Sequence, residues 1–158
     1  MRDKFIPPDE LEMRIPSLRQ GKILVTLNGS FDLLHAGHLF QIAEAKKQGD
    51  ILLVALNSDA SIAAYKSKDR PIIPLKDRLK MMMALEDVDY VTFFEEANPI
   101  ALLEKIKPDV HANGMEYGEN CIEAEIIRKH GGRLHLVPRI EGLSTSQIIE
   151  RIKTVCAL

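Results

Sequence analysis

The 158-residue sequence predicts a doubly wound α/β fold, with a parallel five-stranded sheet and helices on both faces. Continuous apolar runs of strand length recur along the chain, and amphipathic helical segments separate them. Continuous apolar strands are typical of parallel sheets that are covered on both faces. This is the Rossmann-like class, in which ligands bind beyond the carboxyl ends of the strands.

The order of the elements follows from these runs. Five strands are predicted, over residues 23–27, 51–56, 90–94, 110–112 and 134–137. Six helices are predicted in the same part of the chain, over residues 37–48, 60–65, 75–86, 99–106, 123–129 and 144–155. Gly49 and the pair Gly131-Gly132 are typical helix stops, and Ser144 or Thr145 is predicted to cap the last helix.

Residues 1–20 are expected to form an N-terminal extension, and residues 21–158 a single domain. In the extension, Asp9 is predicted to cap a short helix and Pro16 to interrupt it. A domain of this length buries roughly two-thirds of its unfolded surface, so it needs no disulfide or metal for stability.

Composition limits the partners and the compartment. The net charge of -2 lacks the basic excess of a nucleic-acid-binding protein, so no nucleic acid partner is expected. No apolar run is long enough to span a membrane, and residues 1–10 lack the apolar region of a signal peptide. Cys121 and Cys156 have no metal-binding spacing and are expected to be free thiols. We therefore expect a cytoplasmic protein without a membrane partner.

The clearest sign of chemistry is the segment of residues 28–38, between the first strand and the first helix. Gly29 permits a tight turn, and His35 and His38 face the same way on a helical turn. Gly37 leaves room between them for a bulky ligand. The free N–H groups and partial positive charge of a helix start attract anions. The alternatives are cap or surface histidines, or a zinc site, but no further ligands stand at zinc-like spacing.

Six residues of this segment match the pattern G-x-F-D-x-x-H-x-G-H: Gly29, Phe31, Asp32, His35, Gly37 and His38. The segment therefore resembles the HxGH signature of the cytidylyltransferase-like nucleotidyltransferase superfamily. Residues 138–146 resemble the R-x-x-G-[IL]-S-T-[ST] segment of that superfamily, and residues 113–117 resemble its G-x-[DE]-[YW] loop. The resemblance implies that residues 21–158 form a nucleotidyltransferase domain.

The resemblance also implies a role for each site residue. Catalytic roles are implied for His35, His38, Lys66 and Arg139. Nucleotide binding is implied for residues on the three matching segments: Asn28, Gly29, Ser30, Phe31, Asp32, Gly37, Gly114, Met115, Glu116, Tyr117, Leu143, Ser144 and Thr145. Acceptor binding is implied for Lys68 and Arg78. Without the resemblance, the lysines and arginines would be interpreted as solvated surface charges.

The middle of the chain narrows the resemblance. Residues 54–61, 70–78 and 84–91 are similar to heptose-1-phosphate adenylyltransferases, which make ADP-heptose for lipopolysaccharide. That similarity implies transfer of AMP from ATP to heptose 1-phosphate with release of pyrophosphate, and Mg²⁺ bound with the triphosphate. Residues 138–145 are closer to glycerol-3-phosphate cytidylyltransferases, so transfer from CTP to make CDP-glycerol is an alternative. A non-catalytic nucleotide-binding module is the alternative of another class.

Two expectations concern assembly. Related enzymes are commonly dimers, so the resemblance implies a homodimer. The apolar run Met81-Met82-Met83 fits either a dimer interface or the core, and the core is preferred.

Overall fold

The structure is a computed structural model and describes residues 3–157. Its five strands are all parallel and form one sheet in the order β3-β2-β1-β4-β5. They are β1 Leu24–Gly29, β2 Ile51–Asn57, β3 Tyr90–Phe94, β4 Val110–Gly114 and β5 Arg133–Val137. The predicted fold class is confirmed. Because β2 and β4 both pair with β1, the chain winds in opposite directions from β1, and a crevice opens at its carboxyl end.

Helices connect these strands. Seven α-helices lie within residues 3–157: α1 Leu11–Arg19, α2 Ala36–Lys46, α3 Asp59–Tyr65, α4 Leu75–Ala84, α5 Ile100–Ile106, α6 Ala124–Lys129 and α7 Thr145–Cys156. A short 3-10 turn, Met115–Tyr117, follows β4. The predicted bounds of α2 to α7 agree to within two residues, and Ser144 caps α7. No helix in this part of the chain is long and apolar enough to cross a membrane.

Alternate residues of the strands supply two cores, one on each face of the sheet. Leu52 and Val54 of β2 pack with Ile42 of α2 and Met82 of α4. The intervening Leu53 packs on the opposite face with residues of α1 and α5. Every residue of β2 is buried, which explains its continuous apolar sequence. Met82 is 0% exposed and Met83 packs against the first core, so the expectation that the methionine run belongs to the core holds for these two residues.

The segment before residue 21 packs against the rest of the chain. The backbone N–H of Ile6 donates to the Val91 carbonyl at 2.9 Å, so the segment extends the sheet beside β3. Leu11 and Ile15 of α1 are buried in the second core. The described part of this segment is therefore packed against the sheet. The domain boundary at residue 21 stays a prediction.

Two details of α1 differ from the expectation. Glu10, and not Asp9, occupies the cap position, and its side chain makes no capping bond. The helix also continues through Pro16 to Arg19. The burial of Leu11 and Ile15 explains the difference, because tertiary packing holds a helix together across a residue that lacks an N–H group.

Candidate active site

Two connected cavities lie at the carboxyl edge of the sheet, where the segments implied in binding meet. The first lobe, of about 320 Å³, lies between the starts of α2 and α7 and the 3-10 turn. The second lobe, of about 310 Å³, lies beyond the ends of β1, β2, β3 and β4. Six residues line both lobes and form their junction: Ser30, His38, Gln41, Lys66, Glu116 and Tyr117.

The two histidines of the motif are stacked at the start of α2. Their ring centroids lie 3.8 Å apart, with an angle of 22° between the planes. His35 is the N-cap residue, and its Nδ1 accepts a hydrogen bond from the Gly37 N–H at 3.1 Å. Because Nδ1 is an acceptor, neutral His35 carries its proton on Nε2. The prediction that both rings face the same way is confirmed, and both line the first lobe.

Burial keeps both imidazoles neutral. Burial lowers the pKa of His38 to about 4, and the neighbouring His35 and Lys66 contribute to the shift. Burial also lowers the pKa of His35. The Phe31 ring packs beside His38 with 5.2 Å between the centroids, and its backbone has a positive φ of 45°. At neutral pH each histidine can therefore donate one N–H to a phosphate oxygen without being protonated.

Two glycines of the motif lie where the packing of the site leaves little room for a Cβ atom. A Cβ at Gly37 would lie 3.0 Å from ring atoms of His35 and 3.2 Å from the Leu143 Cβ. A Cβ at Gly29 would lie 3.1 Å from the Phe31 ring. The absent side chain at Gly37 therefore makes room for neighbouring protein atoms, as well as for a ligand.

The four predicted cations occupy different places. Lys66 Nζ donates to Ser30 Oγ at 3.0 Å at the junction of the lobes, and desolvation and the nearby Arg70 and Arg78 lower the pKa of Lys66. Arg139 is exposed, lines the first lobe and has no ion-pair partner among residues 3–157. Lys68 is exposed and lines neither lobe.

The position of Arg78 differs from the prediction that this residue binds the acceptor. Its side chain is 0% exposed and lines neither lobe, so it does not reach an acceptor. It donates to the carbonyl oxygens of Ser30, Ile73 and Asn57 at 2.6, 2.9 and 3.0 Å, and to Asp59 Oδ1 at 2.7 Å. The carbonyls at the strand ends bind the guanidinium, so Arg78 holds the ends of β1 and β2 against the start of α4.

Asp32 is also fully buried and lines neither lobe. It accepts hydrogen bonds from Arg70 Nε at 2.8 Å and from the backbone N–H groups of Ile72 and Ile73. Burial alone would raise the pKa of Asp32, but the donors of Ile73, Ile72 and Arg70 outweigh it and lower the pKa. Asp32 therefore fixes the loop that carries Lys66 and lies outside the surface of both lobes.

The remaining predicted residues are mostly brought together. The second lobe is lined by Asn28, Gly29, Ser30 and Phe31. The first lobe is lined by Gly37, Gly114, Glu116, Tyr117, Leu143, Ser144 and Thr145. Met115 is 53% exposed and lines neither lobe, although Glu116 and Tyr117 of the same 3-10 turn line both. At the start of α7, Ser144 Oγ accepts from the Gln147 N–H at 3.2 Å.

Sequence reasoning missed several lining residues: Gln41, Asn57, Tyr65, Asn98, Asn113 and Glu123. Gln41 stands three residues after His38 on α2, so helical spacing could have found it. Asn57 and Asn113 lie at the carboxyl ends of buried strands, where polar residues are unusual, and that signal was available. Glu123 lies ten residues beyond Asn113, and nothing in the local sequence places it in the lobe.

A metal site built by the protein alone is not formed. Within residues 3–157, no group of three or more His, Cys, Asp or Glu side chains is placed to hold a metal ion. Glu116 is the only acidic residue among those that line the first lobe in this range. One carboxylate fits an ion that takes most of its ligands from phosphate oxygens and water.

The comparison with known families agrees with this geometry. The family model described as cytidylyltransferase-like matches residues 26–151, which include most of β1, both histidines and most of α7. The chain belongs to the cytidylyltransferase-like family.

Curated relatives of this cytidylyltransferase-like chain are named bifunctional protein HldE. The one from Helicobacter pylori is 46% identical over 92% of this chain, which covers 31% of that protein. The one from Syntrophotalea carbinolica is 41% identical over 85% of this chain, which covers 28% of that protein. The chain thus spans about a third or less of the length of these relatives.

Solved structures support the same assignment. A lipopolysaccharide core biosynthesis protein from Thermoplasma volcanium is 32% identical, with a TM-score of 0.60, over 76% of this cytidylyltransferase-like chain and 98% of its own. A pantoate-beta-alanine ligase from Francisella tularensis has a TM-score of 0.64 over 98% of this chain and 79% of its own. At 15% identity, the ligase shows the fold alone.

Proposed function

We propose that the protein is a nucleotidyltransferase that transfers AMP from ATP to heptose 1-phosphate and releases pyrophosphate, as in ADP-heptose synthesis. The observation that carries the proposal is the stacked, neutral pair His35 and His38, which faces a lobe that Lys66 and Arg139 also line. The similarity to HldE proteins and to a lipopolysaccharide core biosynthesis protein supports this substrate class.

The two lobes suggest where each substrate binds. The first lobe holds the triphosphate and nucleoside, because it contains the start of α7, both histidines and Arg139. The second lobe holds the body of the acceptor. The acceptor phosphate then meets the α-phosphorus at the junction, beside Ser30 and Lys66.

In this mechanism the protein positions the reactants and stabilises charge. A phosphate oxygen of the acceptor attacks the α-phosphorus in line, the new phosphoanhydride bond forms, and the bond to pyrophosphate breaks. The acceptor oxygen is already an anion, so no general base is needed. The N–H groups of His35 and His38 donate to phosphate oxygens, and Lys66 and Arg139 neutralise charge as it develops. The leaving pyrophosphate interacts with Ser144, Thr145 and the N–H groups at the start of α7.

Mg²⁺ is proposed to arrive with the triphosphate, with Glu116 as the available protein ligand in the first lobe. The ion neutralises phosphate charge when it is bound. A homodimer in the cytoplasm is also part of the proposal. Ile152 and Val155 on α7 are 45% and 68% exposed and are candidates for the subunit contact.

A pyrophosphate-release screen tests the proposal. ATP and CTP are each combined with heptose 1-phosphate, glycerol 3-phosphate and ethanolamine phosphate. We expect ATP with heptose 1-phosphate to give the highest kcat/KM. Preferred use of CTP with glycerol 3-phosphate would support the alternative that residues 138–145 suggest. Tight nucleotide binding without pyrophosphate release from any pair would indicate a non-catalytic binding module.

A further inference from the structure

The second lobe contains a carboxylate that the proposed mechanism does not use. Glu123 is 6% exposed and lines the lobe. It directly precedes α6, yet its side chain makes no capping bond to that helix. Its Oε2 accepts one long hydrogen bond, at 3.4 Å, from Asn113 Nδ2. Burial and the nearby Glu123 carboxylate raise the pKa of the Cys121 thiol.

This single donor leaves Glu123 with unused capacity. A carboxylate has about four lone-pair sites, and a nearly buried one ordinarily accepts several strong hydrogen bonds. Glu123 accepts one long bond from an amide. A ligand with hydrogen-bond donors would therefore be stabilised beside it.

A second, independent atom in the same lobe also lacks a donor. Asn28 Oδ1 at the end of β1 is buried and has no hydrogen-bond partner within residues 3–157. Asn28 lines the lobe from the side of the sheet, whereas Glu123 lines it from the segment after β4. Buried polar atoms in native proteins are rarely left without a partner, so this oxygen also indicates a ligand with donors.

The charges around the lobe restrict that ligand further. Glu116 and Glu123 both line it, and Lys66 is its only lining cation in the described part of the chain. Glu116 lies with Lys66 at the junction, whereas Glu123 lines only the second lobe and repels an anion there, so a phosphate is favoured at the Lys66 end, where the lobes join. The rest of the ligand should be uncharged. Hydroxyl groups fit because each both donates and accepts, and the amides of Asn57 and Asn98 also line the lobe.

We propose that Glu123, together with Asn28, binds hydroxyl groups of the acceptor, and that Glu123 gives the site its preference for a polyhydroxylated sugar phosphate over a short polyol phosphate. The inference rests on the proposed function. It names a specificity-determining residue in the lobe that receives the body of the acceptor.

Steady-state kinetics of Glu123→Gln test this role. The substitution keeps the size of the side chain but removes the charge and one strong acceptor. Loss of hydrogen bonds to a charged group lowers affinity about 10- to 100-fold, so we expect the KM for heptose 1-phosphate to rise by about that factor. The kcat should change by less than about 3-fold, and the affinity for a non-hydrolysable ATP analogue should not change. The KM for glycerol 3-phosphate should hardly change, because this acceptor has few hydroxyl groups that could bind to Glu123.

The matched control is Glu119→Gln, an exposed glutamate in the same connection that lines neither lobe. Its kinetic constants should equal those of the wild type. If Glu123→Gln does not fold, as judged by circular dichroism, wild-type KM values for sugar 1-phosphates with single hydroxyl groups removed decide instead. At least one such analogue should then show the same rise in KM.

Three results would overturn the inference. An unchanged KM for heptose 1-phosphate in folded Glu123→Gln, with normal wild-type turnover, would reject it and leave the proposed function intact. A wild-type preference for ethanolamine phosphate would show that the carboxylates bind an amine. An absence of pyrophosphate release by the wild type with every acceptor would reject the proposed function and this inference with it.

Discussion

At the scale of single residues, the site works with neutral imidazoles. His38 has a pKa of about 4, so it is uncharged through the physiological range, and stacking on His35 adds no repulsion between cations. The positive charge comes instead from Lys66 and Arg139. The histidines are therefore directional hydrogen-bond donors, and turnover should not follow protonation of His38 between pH 6 and 8.

The first prediction concerns His38. Replacement by alanine removes one donor to the developing charge on phosphate, which typically lowers kcat about 10²–10³-fold. The circular dichroism spectrum should stay that of the wild type, since the buried Nδ1 of His38 has no hydrogen-bond partner within residues 3–157 that its loss would leave unpaired. The control is His130→Ala, which is remote from both lobes and should retain wild-type turnover. Near-normal kcat in folded His38→Ala would remove His38 from the catalytic assignment.

How well single residues could be predicted depended on their surroundings. His35, Gly37 and His38 were predictable because one local segment fixes their mutual geometry. The sequence could not show that Arg78 is buried, because the carbonyls it binds belong to strands that only the fold brings together. Glu123 was missed for the same reason, since its lobe is formed by residues distant in sequence.

At the scale of elements, the loop between α3 and α4 is held from two sides. Asp32 binds Arg70 and the backbone after it, while Arg78 binds the carbonyls of Ser30 and Ile73. These bonds connect the turn after β1 to the loop that carries Lys66. The position of Lys66 in the site is therefore set by groups that line neither lobe.

The second prediction separates this role of Arg78 from contact with the acceptor. Arg78→Lys keeps the charge, but an ammonium cannot reach all four acceptors that the guanidinium binds. We expect the free energy of unfolding to fall by about 2–4 kcal/mol in urea titrations. The kcat should fall more than the acceptor KM rises, because Lys66 is displaced.

The control for Arg78→Lys is Arg151→Lys on the exposed side of α7, which should change neither stability nor kinetics. Unchanged stability of Arg78→Lys with a more than tenfold rise in acceptor KM would instead indicate a direct contact with the acceptor.

The positions of the strands and helices were more predictable from the sequence than the roles of single residues. β1 and β2 are short runs whose apolar residues pack on both faces of the sheet, so the positions of these two strands follow directly from the sequence. The packing of the helix α1 was less predictable. It depends on contacts of Leu11 and Ile15 with apolar residues of β2, which lie far along the chain.

At the scale of the whole molecule, the described part of the segment before residue 21 covers one face of the sheet. Ile6, Leu11 and Ile15 share a core with residues of β1, β2 and α5. The domain therefore depends on this segment for stability, although the active site lies at the carboxyl edge of the sheet.

The third prediction tests that dependence. Leu11→Ala should lower the free energy of unfolding by about 2–5 kcal/mol, because Leu11 is 0% exposed and its loss leaves a cavity. Met13→Ala on the same helix should cost little, since Met13 is 70% exposed. Equal, small effects of both substitutions in urea unfolding would show that α1 does not support the domain.

The most direct test of the whole account is the identity of the product, followed by ³¹P nuclear magnetic resonance of ATP and heptose 1-phosphate with the wild-type protein. Transfer of AMP predicts that ADP-heptose and pyrophosphate appear in equal amounts, without free ADP. Formation of ADP, or no consumption of either substrate while the folded protein binds ATP, would contradict nucleotidyl transfer at this site.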